Sequence, residues 1–239
     1  MNDCNVAIVQ ARMGSRRFPN KMMELLEGSP VIEWVLRRSI CSKMVDKVVL
    51  ATSEHHRDDV LADIASELGV EVFRGSEADV LGRYAAAAEV FRADTVIRIC
   101  ADRPLVAPEV IDCTVETFIS DTPDLAFSHT PVPEARWPVG FGVEVFSSEM
   151  LAWLNGNVFD PSHREHVTLH LWDNRARYHL QAAPCPPEID SGSRRAVLDV
   201  DWPKDLARLR NLCRGFDFTV TAAEIMARWR TSSGVHETA

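Results

Sequence analysis

The chain has 239 residues, 46% of them hydrophobic, enough to bury one sizeable core. Its formal net charge of −9 excludes a general nucleic-acid binder, which gains affinity by neutralising many phosphates, but leaves room for a phosphorylated ligand held by a few local cations. Six scattered cysteines (Cys4, Cys41, Cys100, Cys113, Cys185, Cys213) form no CxxC pair and no long apolar run is present, so a disulfide framework, a zinc site, a signal peptide and a membrane span are not expected, and the protein is expected to be cytoplasmic.

Residues 6–9 read as a buried strand, followed by a polar loop over 11–21. The spacing of Val31, Trp34, Val35 and Leu36 predicts a helix over 30–43. The continuous apolar run at 47–52 predicts a strand buried on both faces, and 58–68 a helix stopped by Gly69. A strand at 70–73, a helix at 80–91, a strand at 95–100 and a helix at 108–119 continue the rhythm. From Asp124 it changes: strands are expected at 124–129, 143–146 and 178–182, between Pro- and Gly-containing turns, with a helix over 164–172. A strand at 196–200 and helices at 204–212 and 222–229 follow, and the polar tail after Thr231 is expected to fray.

Alternating strands and helices of this kind imply an α/β fold, a mainly parallel central sheet with helices on both faces. The expectation is one domain over 1–239, with a mixed α/β insertion at about 124–190. Ligands of such sheets gather at the carboxyl ends of the strands, which draws attention to the loops at 10–21, 52–57, 74–83 and 101–107.

The first of these loops carries the strongest chemical signal. It sets Arg12, Arg16, Arg17 and Lys21 around a Gly14-Ser15 pair directly after a buried strand. Gly14 allows close backbone approach, neighbouring amides can face phosphate oxygens, and the cations supply charge where a triphosphate would carry it. The spacing is neither that of a Walker A loop nor that of a Rossmann fingerprint. The plain alternative is a solvated basic loop on an acidic protein. Asp102 stands just past the strand at 95–100, a suitable place for a carboxylate that holds Mg²⁺ on a triphosphate; a salt bridge to Arg98 or Arg103 is the other reading. Asp199 and Asp201 alternate along an extended run and share a face, where two carboxylates repel unless a cation or a proton lies between them.

The stretch AIVQARMGSRRFPNK at 7–21 resembles the opening of the cytidylyltransferase (CMP-sugar synthetase) superfamily. It looks most like the branch named after spore-coat polysaccharide biosynthesis proteins, related to the acylneuraminate and Kdo cytidylyltransferases. The resemblance continues in family order through VFRGSEADVLGRY at 72–84, RICADRP at 98–104, REHVT at 164–168 and LDVDWPKDL at 198–206. It implies a nucleotide-diphospho-sugar transferase type of three-layer α/β sandwich, and CMP transfer from CTP to an acidic sugar or related small acid with release of pyrophosphate. By that match Arg12, Ser15 and Lys21 hold the triphosphate with help from Arg17, and Ala11 and Gly14 belong to the same loop. Arg12, Lys21 and Asp102 are the catalytic candidates. Thr52 and Ser53 are candidates for the cytosine, and Arg74, Asp79 and Arg83 are placed near the nucleotide or acceptor, with Asp79 alternatively a helix N-cap. The acceptor side draws on Arg164, Glu165, His166 and Glu144; His166 is a candidate base or a satisfied structural histidine, and Glu144 a hydroxyl-orienting or solvated carboxylate. Mg²⁺ is the implied cofactor, on Asp102 and Asp201. Asp199 is a further candidate, since the Asp-x-Asp pair resembles acylneuraminate cytidylyltransferases while the spore-coat branch keeps the position of Asp201. A homodimer through the region 124–190 is implied as well. The alternative reading is a nucleotide-sugar-dependent glycosyltransferase of related fold, which holds a diphosphate through a metal and has less use for a cation-rich first loop.

Overall fold

Val6 and Ile8 belong to one apolar cluster and Ala7 and Val9 to another, and all four are fully buried. A strand apolar on both faces needs cover on both sides. The structure, a computed structural model describing residues 4–129, 136–192 and 195–234, places it at the centre of a sheet. In chain order the elements are β1 (Asn5–Gln10), the hairpin β2 (Leu25–Leu26) and β3 (Ser29–Pro30), α1 (Val31–Ile40), β4 (Lys47–Ser53), α2 (Asp59–Glu67), β5 (Glu71–Gly75) and α3 (Val80–Val90). Then come β6 (Thr95–Cys100), α4 (Pro108–Asp121), β7 (Leu125–Phe127), β8 (Glu144–Ser147), α5 (Ser148–Asn157), α6 (Pro161–Glu165), α7 (Leu169–Asp173), β9 (Leu180–Ala182), α8 (Pro203–Leu212) and α9 (Ala222–Gly234).

Seven strands pair in the order β5-β4-β1-β6-β8-β7-β9. β1, β4, β5 and β6 run parallel; β8 is antiparallel to β6 and β7, and β9 is parallel to β7. One core cluster takes its side chains from α1, α2, α4, α8 and α9, the other from α3, α5 and α7, so the molecule is a three-layer α/β sandwich. From β1 the chain steps outward to β4 and β5 and then returns to β6 on the other side of β1. That reversal makes the carboxyl ends of β1 and β6 a topological switch point, where ligands of open α/β sheets bind.

Two expected elements differ. The helix over 164–172 is broken into α6 and α7, because His166 leaves helical geometry and the hydroxyl of Thr168 turns inward to the buried carboxylate of Glu144. The strand at 196–200 is extended but does not join the sheet. Among the described residues its one bridge is Val139 to Val197, and the Val200 amide donates to the Asp102 carbonyl at 2.8 Å. Ala196, Leu198 and Val200 are buried, so the alternation read from the sequence is satisfied by packing rather than by a ladder. The chain beyond Thr231 stays helical to Gly234, and the last five residues of the expected frayed tail, 235–239, lie outside the described residues. Among the described residues no helix is long and apolar enough to cross a membrane, and all six cysteines are free thiols.

Candidate active site

The switch point opens into a cleft of about 670 Å³. Gln10, Ala11, Arg12, Gly14, Ser15, Arg16, Arg17 and Lys21 line it from the loop after β1, Glu77 from the loop after β5, Cys100 and Asp102 from the end of β6, and Pro161 and Glu165 from α6.

The shape of the first loop is set by a carboxylate that sequence reading placed only at a helix start. Asp58 is fully buried, accepts from the Met13 amide at 2.8 Å, and takes the hydroxyls of Thr52 and Ser53 at 3.2 and 2.5 Å. It ties the loop after β1 to the end of β4, and the hydroxyls of Thr52 and Ser53 donate to it. Within the loop the Ser15 hydroxyl accepts from the Phe18 amide at 3.3 Å, and Asn20 adopts a left-handed conformation (φ 59°) that starts the 3₁₀ turn Lys21–Met23.

That turn buries Lys21. Its ammonium lies 3.3 Å from Asp102, 3.4 Å from Asp201 and 2.8 Å from the Val200 carbonyl. Two carboxylates distant in sequence thus share one cation, and Asp102 pairs with Lys21 rather than with Arg98 or Arg103. Arg17 makes a second contact to Asp201 at 2.8 Å and lies over the Trp202 ring. Asp201 is itself positioned by Asp205, whose carboxylate accepts from the backbone amides of Asp201 and Trp202 at the start of α8. Asp199 completes the acidic group. Burial, then the charges of Asp102 and Asp201, push its carboxyl above the usual range. Three carboxylates therefore crowd around Lys21 and Arg17, a donor set that fits a divalent cation held by one or two of them together with phosphate oxygens. Among the described residues no three His, Cys, Asp or Glu side chains are already arranged to hold a metal on their own.

Arg12 reaches across the cleft mouth to Glu165 at 3.3 Å and Glu77 at 3.8 Å. Both contacts are long and exposed, and such pairs contribute about 0.2–1 kcal/mol each. A phosphate oxygen can displace them at small cost.

The cytidylyltransferase family model matches residues 6–151. The spore coat polysaccharide biosynthesis protein SpsF of Bacillus subtilis is 30% identical over 204 residues, covering 83% of this chain and 82% of that protein. The chain belongs to the cytidylyltransferase family. The 3-deoxy-manno-octulosonate cytidylyltransferase of Chlorobium phaeobacteroides is 34% identical over 120 residues, 49% of this chain and 47% of that one. A solved cytidylyltransferase from Leptospira borgpetersenii superposes with a TM-score of 0.89 at 24% identity, over 100% of this chain and 98% of that one, which establishes the shared fold.

In this cytidylyltransferase several of the expected site residues form a supporting ring behind the cleft. Arg74 holds the turn after β4 through the carbonyls of Ser53 (2.9 Å) and His55 (3.0 Å) and the carboxylate of Asp59 (2.6 Å). Asp79 caps α3 through the Gly82 amide at 2.9 Å and meets Arg164 in a bidentate pair at 2.7 and 2.9 Å. Burial opposes the charge of Asp79, but the Arg164 guanidinium prevails and keeps its carboxyl below the usual range. Arg164 also donates to the carbonyls of Asn155 and Val158, so it clamps the α5–α6 turn to α3. Arg83 is buried, donates to the Ser76 carbonyl, and finds no partner for Nε and Nη2 among the described residues. Beside Gly14 the Arg57–Glu77 pair fills the space a Cβ would need, 2.7 Å from Arg57 Nη2, so the glycine admits that pair.

On the acceptor side Glu144 is neither solvated nor free. It lies buried and accepts from Arg98 (2.5 Å), His129 Nε2 (3.0 Å), Thr168 (2.9 Å) and Trp172 Nε1 (3.0 Å). Burial works against its charge, yet Arg98 and then His129 hold its carboxyl well below the usual range. The ring of His166 is exposed, which replaces the satisfied-histidine reading, and Glu165 beside it lines the cleft. His129 was not singled out from the sequence. Its partner Glu144 lies 15 residues away in sequence, and a lone His in FSHTP carries no periodic signal.

Proposed function

We propose that the protein transfers CMP from CTP to an acidic sugar of the nonulosonic type, or a related small acid, and releases pyrophosphate in an Mg²⁺-dependent reaction. The observation that carries this reading is the sharing of the Lys21 ammonium by Asp102 and Asp201 on the floor of a cleft whose first loop brings Arg12, Arg16 and Arg17. Family membership supports the nucleotidyl-transfer class over glycosyl transfer. The names of the relatives, a 3-deoxy-manno-octulosonate cytidylyltransferase and a spore coat polysaccharide biosynthesis protein, support a sugar acid as acceptor.

In this reading the triphosphate replaces Glu165 and Glu77 on Arg12, and Lys21 and Arg17 neutralise the charge that develops on the departing pyrophosphate. The Gln10 to Lys21 loop and the switch-point geometry orient the α-phosphorus for in-line attack by an acceptor oxygen, so positioning and electrostatics carry the catalysis and no covalent enzyme intermediate is needed. Asp102 and Asp201, with Asp199 beside them, would hold Mg²⁺, which when bound polarises the α-phosphate and offsets its charge. The proposal extends to a homodimer through part of 124–190, in keeping with the exposed Trp153 and Phe159 of that stretch; light scattering tests it.

The test of the function is pyrophosphate release from the purified protein with Mg²⁺, each of the four nucleoside triphosphates, and a panel of acidic sugars and small hydroxy acids. Release with CTP and one acid is expected. Release with no combination contradicts the reading.

A further inference from the structure

We propose that Arg103 and His129, standing on either side of the 140–142 turn, form the acceptor subsite, Arg103 taking the acid's carboxylate and His129 Nδ1 taking a hydroxyl hydrogen. The inference rests on the proposed CMP transfer and deepens it.

Asp102 lines the cleft, and Arg103 follows it. The Arg103 guanidinium is half-buried and donates through Nη1 to the Gly142 carbonyl, its one hydrogen bond among the described residues, and its charge also reaches Asp199. Gly142 in turn backs directly on His129: a Cβ there would collide with His129 Cβ and lie 2.8 Å from the Ser128 carbonyl. Arg103 and His129 are therefore neighbours across one glycine, at the carboxyl ends of β6 and β7. On the far side Thr168 shares Glu144 with His129, and Thr168 is three residues from Glu165 in the cleft wall. The pair thus stands behind residues that line the cleft, one residue from Asp102 on one side and joined through Glu144 and Thr168 to the segment after Glu165 on the other.

The state of the histidine follows from its surroundings. Its Nε2 is 3.0 Å from Glu144, a carboxylate that Arg98, Thr168 and Trp172 already hold in its charged form. An ionised acceptor there calls for Nε2–H, which leaves Nδ1 as the ring nitrogen turned away from Glu144. Phe127 and Trp172 pack the ring at centroid distances of 5.5 and 5.4 Å, so its direction is set as well as its tautomer. The side chain keeps 18% exposure. A cation beside an imidazole nitrogen of set direction suits a hydroxylated monoacid.

The discriminating experiment uses steady-state pyrophosphate release with saturating CTP and Mg²⁺, varying the panel acid that the wild type turns over best. His129→Gln keeps an N–H toward Glu144 but has nothing at the Nδ1 position; His129→Asn restores an oxygen near Nδ1; Arg103→Gln keeps a donor to Gly142 without the charge. His129→Gln and Arg103→Gln are expected to raise KM for the acid by about tenfold or more, the loss of one ligand hydrogen bond, with KM for CTP and Tm held near wild type. His129→Asn is expected to recover part of that loss. Unchanged KM for the acid in both glutamine variants, or an equal rise in KM for CTP, overturns the subsite. If His129→Gln does not fold, Arg103→Gln decides alone. Wild-type release with no acid at all contradicts the transfer reading instead, which separates the two failures.

Discussion

Lys21 shows how much of the site rests on single side chains. Its ammonium is the shared counter-ion of Asp102 and Asp201 in a buried position. Lys21→Met, of similar length and without charge, is expected to lower kcat/KM by roughly 10²–10³-fold, the scale of removing one preorganised charge-stabilising donor. Asp199 makes the opposite kind of prediction. Its carboxyl is raised by burial and by two neighbouring carboxylates, so the folded state keeps a proton that the unfolded chain has released. Stability from that source is present in acid and is lost as pH rises through the folded value. Asp199→Asn should therefore raise Tm at pH 7 by roughly 2–4 °C, a gain that vanishes below about pH 4; a lower Tm at pH 7 would contradict the crowding. Glu144 runs the other way. Its carboxyl is depressed, and Glu144→Ala leaves Arg98 buried and uncompensated, at a cost of about 3–5 kcal/mol in denaturant unfolding. Arg12, Lys21, Asp102 and Asp201 were legible in the sequence because cations clustered after a buried strand and carboxylates at strand ends are local patterns. Asp58 and His129 were not, since what they do depends on partners brought near by folding: Met13 is 45 residues from Asp58.

At the scale of elements, the site depends on an extended segment that the sheet does not hold. Residues 196–201 are fastened by the Leu198 amide to the Val139 carbonyl at 2.7 Å and by the Val200 amide to Asp102. Gly140 makes this approach possible: its φ is +105°, and a Cβ would lie 2.6 Å from the Leu198 carbonyl carbon. Gly140→Ala is expected to cost more than about 1 kcal/mol from backbone strain alone and to move Asp199 and Asp201, so turnover should fall and Mg²⁺-dependent CTP binding should weaken with it. A variant with unchanged kcat and Tm would contradict that account. The alternation of apolar residues at 196–200 correctly gave the shared face of Asp199 and Asp201 but not the missing ladder, because period-2 burial is the same whether an extended chain pairs or merely packs. The helix expected over 164–172 failed for a related reason. Helix-period residues continue through it, but the Thr168 hydroxyl is worth more to the buried Glu144 than an unbroken helix is to the surface.

For the molecule as a whole, the strand–helix rhythm of the first half specified the parallel half of the sheet, because each strand buried on both faces demands two covering layers. The second half was less legible. β7 and β9 have three residues each, and α5 has little amphipathic contrast to mark it. Distant parts are joined by polar staples that no local pattern announces. Arg38 of α1 is fully buried and donates to the carbonyls of Val106, Phe218 and Val220, at 2.7–2.9 Å, so it links the segment before α4 to the one before α9. Arg38→Met strands three carbonyls and is expected to destabilise the fold by about 2–4 kcal/mol without altering KM for CTP, readable in urea unfolding together with the release assay. With the net charge at −9, the cations of the first loop are a local exception in an acidic molecule. These cations suit an anionic ligand, whose binding stabilises the folded state. The most direct test is calorimetric titration of the wild type and Lys21→Met with CTP, UTP, ATP and GTP, with Mg²⁺ and with a chelator. Tightest binding of CTP, weakened at least about tenfold by Lys21→Met and also by the chelator, is the predicted result. Equal affinity for the four nucleotides, or CTP binding indifferent to Lys21, would contradict the assignment of this cleft to CTP.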